Sequence, residues 1–247
     1  MESQRRPLEP ALSGAKGRHR GNADLKVSAT SHQPMDRPQL YGVEMSLFPM
    51  FLKLSNRPCL VVGAGRVGEA KIEGLLAAGA AVKAVAPEAT VTVLQWARAG
   101  KIDWQARRFE PTDLSGKFLV VVATPSRELN DTIYHEAQRH GVLCNVVDDP
   151  PRCDFYYPAV VNRGELQIAI STNGQSPALA QRLRRELEQQ FGHEYEEWVE
   201  ALGRERRHLL TLPLGSEERR RLLHSLVTAE SFEEFVRSTS HASATRP

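Results

Sequence analysis

None of the three cysteines, Cys59, Cys144 and Cys153, stands in a CxxC pair, and no Cys/His grouping has the spacing that closes a zinc site. The thiols therefore read as reduced, with Cys59 and Cys144 as small buried residues of strands and Cys153 left open in a loop. His135, His140, His193, His208 and His224 show no HxxxH ligand spacing, so no fixed structural metal is expected. Charge of one sign is also scarce. Thirty-two Lys and Arg face thirty Asp and Glu, a formal net charge of +2, which argues against a protein held to nucleic acid by bulk charge. No run approaches the roughly 20 apolar residues of a membrane span. The first 30 residues lack a continuous apolar h-region, so membrane and secretory readings fall away and a cytoplasmic protein is expected.

What is present is enough apolar sequence, 41%, to bury a core. Residues 1–44 are rich in Arg, Pro, Gly, Ser and His and are expected to form a disordered extension, with Met45 an alternative start. From Arg57 onward, short β-rich apolar runs alternate with helical segments, the pattern of β-α-β units and a mostly parallel sheet. The expected strands are PCLVVGA, AAVKAVA, IDWQARRF, KFLVVVAT and VLCNVVD, with helices in RVGEAKIEGLLAAGA and in ELNDTIYHEAQRHG, the latter capped by Gly141. After Pro150-Pro151 the runs FYYPAVV and LQIAIS form a pair of strands with the bend at Asn162-Arg163-Gly164. Ser176 then opens a helix as N-cap, with Pro177 at its first position. The expected organisation is a Rossmann-type α/β domain over 45–150, a small central β region over 151–175, a helical C-terminal domain over 176–238 and a frayed tail over 239–247.

Directly after the first strand stands Gly63-Ala64-Gly65-Arg66-Val67-Gly68, a G-x-G-x-x-G between strand and helix. Gly63 permits the tight turn, Gly65 lets a pyrophosphate approach the backbone, and Gly68 lets helix and strand pack closely. The helix N-terminus offers open N–H groups and partial positive charge to phosphates. Glu88, at the end of the second strand after Pro87, is the local candidate for a ribose contact, and no Arg or Lys lies beside it in the chain to take a 2′-phosphate. The cofactor expected is NAD rather than NADP.

The ordered segments LFPMFLKL, VVGAGRVGEAK, VAPE, VVVATPSRELN and NVVDDPPRCDFYYPAVVNRGELQIAISTNGQSPALAQRLR resemble the precorrin-2 dehydrogenase family, the N-terminal module of siroheme synthases. The resemblance implies NAD-dependent oxidation of precorrin-2 to sirohydrochlorin, with ferrous iron insertion in some members, by a homodimer whose central region is the dimerisation element. It implies nucleotide contacts at Arg66 and Val67, at Pro87 and Glu88, and in the Thr124 loop, and a key aspartate at Asp148. The chain departs from the family at Thr124-Pro125-Ser126, where TDD is usual, and at Ser171-Thr172-Asn173-Gly174, where STGG is usual. No methyltransferase-sized segment follows, which implies the stand-alone form.

Asp148 ends a strand on the same sheet edge as the glycine loop, where open parallel sheets bind ligands, so it is expected to deliver a carboxylate to the cofactor's cleft, in one pocket with the nicotinamide ring, as proton acceptor. The competing reading is a turn cap ahead of Pro150, which suits Asp149 better. An acidic tetrapyrrole needs cations and hydrogen-bond donors, and the candidates are Arg152 and Arg163, with Arg182, Arg184 and Arg185 on the following helix, and the loop Ser171, Thr172 and Asn173. Two rival functions remain: a dehydrogenase of another acidic small molecule, and an NAD-sensing module without chemistry.

Overall fold

The structure is a computed structural model that describes residues 47–244; the expected extension over 1–44 lies outside the described residues. Five parallel strands, β1 (Pro58–Ala64), β2 (Ala81–Ala89), β3 (Asp103–Gln105), β4 (Leu119–Val122) and β5 (Leu143–Val146), form one sheet in the order β3-β2-β1-β4-β5. The crossovers after β1, β2 and β4 are helical: α1 (Arg66–Ala77), α2 (Val91–Arg98) and α3 (Arg127–His140). Strands buried on both faces are apolar at every position, which is why Cys59–Val62 and Leu119–Val122 read as continuous hydrophobic runs. Alternate residues feed opposite cores: Cys59 and Val61 pack with Ile72, Leu75 and Val93, while Leu60 and Val62 pack with Leu114, Ile133 and Val146. The chain leaves β1 toward β2 and later returns to the other side at β4, so the strand order reverses between β1 and β4. Ligand crevices of open α/β sheets form at such a reversal.

Cys59 and Cys144 are fully buried, and desolvation pushes their thiols up to about 11 and about 12, so both act as small apolar residues. Gly141 adopts the left-handed conformation (φ 64°) expected of the α3 cap. Three expectations are adjusted. β2 runs on through Pro87 to Ala89, with a pairing irregularity opposite Gly63. The run expected as IDWQARRF pairs only over Asp103–Gln105, and α2 fills a stretch left unassigned from the sequence, with the Thr90 hydroxyl accepting from the Val93 N–H.

The early end of β3 has an electrostatic cause. Asp113, 3% exposed, accepts from Lys83 Nζ (2.7 Å), from both terminal nitrogens of Arg107 (2.8 and 2.7 Å) and from the Glu110 N–H (3.0 Å). Arg107 therefore turns out of the strand to reach it. Burial pushes this carboxyl up, but the hydrogen bonds from Arg107, Lys83 and Glu110 outweigh it and hold it well below the usual range. A depressed carboxyl stabilises the fold fully above its unfolded pKa, about 3.9, and loses that contribution as pH falls toward its folded value. Asp113→Ala removes the shared carboxylate from Lys83 and Arg107, which both keep contact with solvent, and is expected to cost about 1 to 2 kcal/mol at pH 7, with a smaller difference from wild type in melts below about pH 4.

Beyond the sheet, β6 (Ala159–Arg163) and β7 (Leu166–Ile170) form an antiparallel hairpin, followed by α4 (Pro177–Gln190), α5 (Glu194–Thr211), α6 (Ser216–Ser225) and α7 (Ala229–Ala244). The bend falls on Gly164 (φ 57°) and Glu165; Asn162 and Arg163, expected in it, pair with Gln167 and Leu166 instead. Ser176 caps α4 by accepting from the Leu179 N–H, with Pro177 at the first position, as expected. α7 passes the expected boundary at 238 and runs to Ala244, with the Ser238 and Thr239 hydroxyls donating back to the Phe235 carbonyl. Among the described residues, no helix is long and apolar enough to cross a membrane.

Candidate functional site

The glycine loop joins β1 to α1 by close backbone contact. A Cβ on Gly63 (φ 100°) would lie 2.3 Å from the Ala123 carbonyl oxygen, and one on Gly68 would lie 2.0 Å from the Gly63 oxygen. Both positions exclude any side chain. Gly65 differs, because nothing lies within 4 Å of its Cβ position: it is the N-cap of α1, has no side-chain cap, and faces open space. The first-turn N–H groups of α1 thus lack a capping side chain, and the missing Cβ leaves room for an anion against the backbone. A cleft of about 890 Å³ begins there and runs past Pro87 and Glu88 at the end of β2 and past Thr124 after β4. The Thr124 hydroxyl lies 2.6 Å from Asn130 Oδ1, and the Asn130 amide donates back to the Thr124 carbonyl, which fixes that wall. Arg66 and Val67 are exposed on the first turn of α1 and, although expected as nucleotide contacts, do not line the cleft. These residues fit a dinucleotide: a side-chain-free cradle at a helix N-terminus, with an acid at the end of the second strand.

The sequence expectations gave Arg108 no role. Arg108 enters the same cleft as Glu88 from the segment after β3. No cation neighbours Glu88 along the chain, yet pairing of β3 with β2 brings one to its cleft.

A second cavity, about 380 Å³, opens at the end of β5. Asp148 lines it from a left-handed turn (φ 59°), a conformation that Asp tolerates better than most residues. The turn is tightly held. The Val147 N–H donates to Val122, the Asp149 N–H donates to Val146, and the Cys153 thiol donates to the Val146 and Asp149 carbonyls. Buried Asn145 donates to the Phe155 carbonyl (2.8 Å), and the Asp154 carboxylate accepts from the Cys144 N–H (2.9 Å), pinning the returning loop to β5. Burial raises the Cys153 thiol, which fits a turn-holding donor rather than a thiolate nucleophile. Asp149 is engaged by Arg152 at 2.8 Å, whereas the Asp148 carboxylate has no hydrogen bond among the described residues.

Lys71, also given no role by the sequence expectations, reaches this cavity from α1 with its Nζ 3.5 Å from the Tyr157 ring centroid. Burial lowers its pKa, and the nearby Asp148 charge and Cys153 oppose that. The advance signals were its place less than two turns along the helix that the glycine loop begins and its position at the end of the VVGAGRVGEAK segment. Ser171 and Thr172 form part of the facing wall. Their hydroxyls accept from the Asn173 and Ser176 N–H groups, which leaves their O–H protons to donate. Asn173 does not line the cavity. None of the five arginines expected here lines the cavity: Arg152 clamps Asp131 (2.6 Å) and Asp149, Arg163 donates to the Glu188 and Phe191 carbonyls at the end of α4, and Arg182 and Arg184 pair with Glu186 and Glu188 along that helix.

Contrary to the expectation of one shared cleft, Asp148 and the glycine loop share a sheet edge but line separate cavities, because β4 lies between their strands. Their strands, β5 and β1, flank β4, two strand spacings or about 10 Å apart.

Comparison with known proteins gives two family matches along the chain. Residues 50–159 match a family model described as "Putative NAD(P)-binding", and residues 163–190 match "Sirohaem biosynthesis protein central". A siroheme synthase of Aeromonas salmonicida is 45% identical over 144 residues, 58% of this chain and 31% of that protein. One from Actinobacillus pleuropneumoniae serotype 3 is 36% identical over 189 residues, 76% of this chain and 39% of that protein. The chain thus spans about a third of the length of these curated relatives. A solved structure titled SirC, precorrin-2 dehydrogenase, superposes with a TM-score of 0.68 at 26% identity, covering 79% of this chain and all of that one.

Proposed function

Because the chain belongs to the family of precorrin-2 dehydrogenases and siroheme synthases, we propose that it oxidises precorrin-2 to sirohydrochlorin with NAD⁺. The observation that carries this reading is the Asp148 carboxylate, without a hydrogen bond among the described residues and held on a hydrogen-bonded turn at the sheet edge that also bears the dinucleotide cradle.

NAD⁺, when bound, supplies the hydride acceptor. Gly65 and the first turn of α1 would hold its phosphates, with Arg66 and Val67 beside them, and Glu88 after Pro87 would face the ribose. The Thr124 loop, fixed by Asn130, forms the wall between the two cavities' strands. Loss of a hydride from a tetrapyrrole carbon is matched by loss of a proton. Asp148 accepts that proton at a carboxylate oxygen that no other side chain occupies. Ser171 and Thr172 donate hydroxyl protons to substrate carboxylates from the facing wall. In a following chelation step the same carboxylate would take the protons displaced from the ring nitrogens as ferrous iron, a substrate, enters.

The central region supports a homodimer. Beyond residue 150 only Val161, Ala180 and Leu209 are buried apolar residues among those described, while Val160 and Leu179 are 40% and 42% exposed. A two-stranded hairpin is marginal by itself, and a second copy would cover those side chains. A cytoplasmic location belongs to the same reading.

Anaerobic incubation with precorrin-2 and NAD⁺ tests the reading: NADH absorbance and the sirohydrochlorin spectrum should rise together, and no NADH formation would refute it. Addition of Fe²⁺ or Co²⁺ then tests chelation, which is ruled out if metal enters only at the spontaneous rate.

A further inference from the structure

The cavity at the end of β5 has a chemical imbalance that its proposed ligand would correct. Its lining contains two carboxylates, Asp148 and Asp149, and one cationic side chain, Lys71. A polyanionic tetrapyrrole needs positive charge, and both arginines nearest in sequence are engaged elsewhere, Arg152 with Asp131 and Asp149, Arg163 with α4 carbonyls. Lys71 is held differently. Its ammonium lies over the Tyr157 ring at 3.5 Å and makes no salt bridge among the described residues, so its three donors are not committed to a protein oxygen.

We propose that Lys71 is the carboxylate anchor of this cavity: its ammonium pairs with an acidic side arm of the tetrapyrrole and selects for polycarboxylate macrocycles. The inference rests on the dehydrogenase reading for the substrate's identity. Three features favour anchoring over a merely structural role. Lys71 is half-buried, where an ion pair is screened less than at an open surface. Burial lowers its pKa and the Asp148 charge opposes this only in part, so a substrate carboxylate placed beside the ammonium would further favour its charged form. Finally, it stands six residues beyond the Gly65 cradle on one helix, about 9 Å along the axis, so α1 would set the position of cofactor and substrate together.

The test uses the full chain with Lys71→Met and Lys71→Arg. Two readouts are taken: steady-state kinetics with precorrin-2, and fluorescence titration with uroporphyrin, a stable polycarboxylate tetrapyrrole. Lys71→Met is expected to raise KM and weaken uroporphyrin binding about 10- to 100-fold, as loss of a charged hydrogen bond does, with NAD⁺ affinity within about twofold of wild type. Lys71→Arg should recover most of both. A fall in kcat at unchanged KM and unchanged uroporphyrin affinity would overturn the anchor, because Lys71 would then act only through Asp148. If Lys71→Met fails to fold, Lys71→Gln and Lys71→Arg carry the same comparison, and equal uroporphyrin affinities between those two overturn the proposal. Should the wild type bind uroporphyrin but not oxidise precorrin-2, the dehydrogenase reading fails while the Lys71 comparison still decides the anchor.

Discussion

Asp148→Asn is expected to lower kcat for precorrin-2 oxidation by about 10²- to 10⁴-fold, the range a positioned general base contributes. The substitution isolates the chemistry. Asparagine has the same shape and tolerates the left-handed backbone (φ 59°) at this position, so the turn held by Val122, Val146 and Cys153 should persist. NAD⁺ affinity, set two strands away, should remain within a few-fold of wild type, and a thermal melt should move little. An Asp148→Asn protein with wild-type kcat would remove the general base from the mechanism. A chain that senses NAD without chemistry would show no turnover in either form.

The second large effect divides the glycine loop into two functions. Gly68→Ala forces a Cβ to within 2.0 Å of the Gly63 carbonyl oxygen, a clash with backbone that no rotamer relieves. A cost of about 3 kcal/mol follows, at the upper end of ordinary overpacking. For a domain of this size that is a melting-point drop of about 6 to 12 °C. Gly65→Ala meets nothing within 4 Å and sits at an ordinary φ of −75°, so the fold should lose about 1 kcal/mol or less through the weaker N-cap. Its methyl would instead occupy the space offered to the pyrophosphate, and NAD⁺ affinity is expected to fall at least about tenfold. Calorimetric titration and thermal melts on the two variants should therefore separate: stability lost in one, binding in the other. Equal loss of both properties in Gly65→Ala would mean that this glycine serves packing and not the cofactor.

Local rules carried most of the fold. The parallel strands were visible because residues buried on both faces must be apolar throughout, and Ser176 and Gly141 were visible as caps because helix ends need a side-chain acceptor or a left-handed residue nearby. Long-range partners were not visible. β3 stops at Gln105 because Arg107 is drawn to Asp113, six residues ahead and packed beside Lys83 of β2. Arg152 and Arg163 looked like ligand cations from their neighbourhood in the chain, but carboxylates and carbonyls of α3 and α4 engage them first.

For the site, the residues alone pointed to the glycine cradle, since it depends on what the backbone does within a few positions of a strand end, whereas the role expected of Asp148 came from the family resemblance, a turn cap ahead of Pro150 reading as well from the chain. Tertiary structure decided which side chains share each cavity: Lys71 with Asp148, Arg108 with Glu88, and a β4 strand between the two. The reason is that hydrophobic periodicity specifies which face of an element is buried, whereas the company a polar side chain keeps depends on sheet order and helix placement, which bring together residues tens of positions apart.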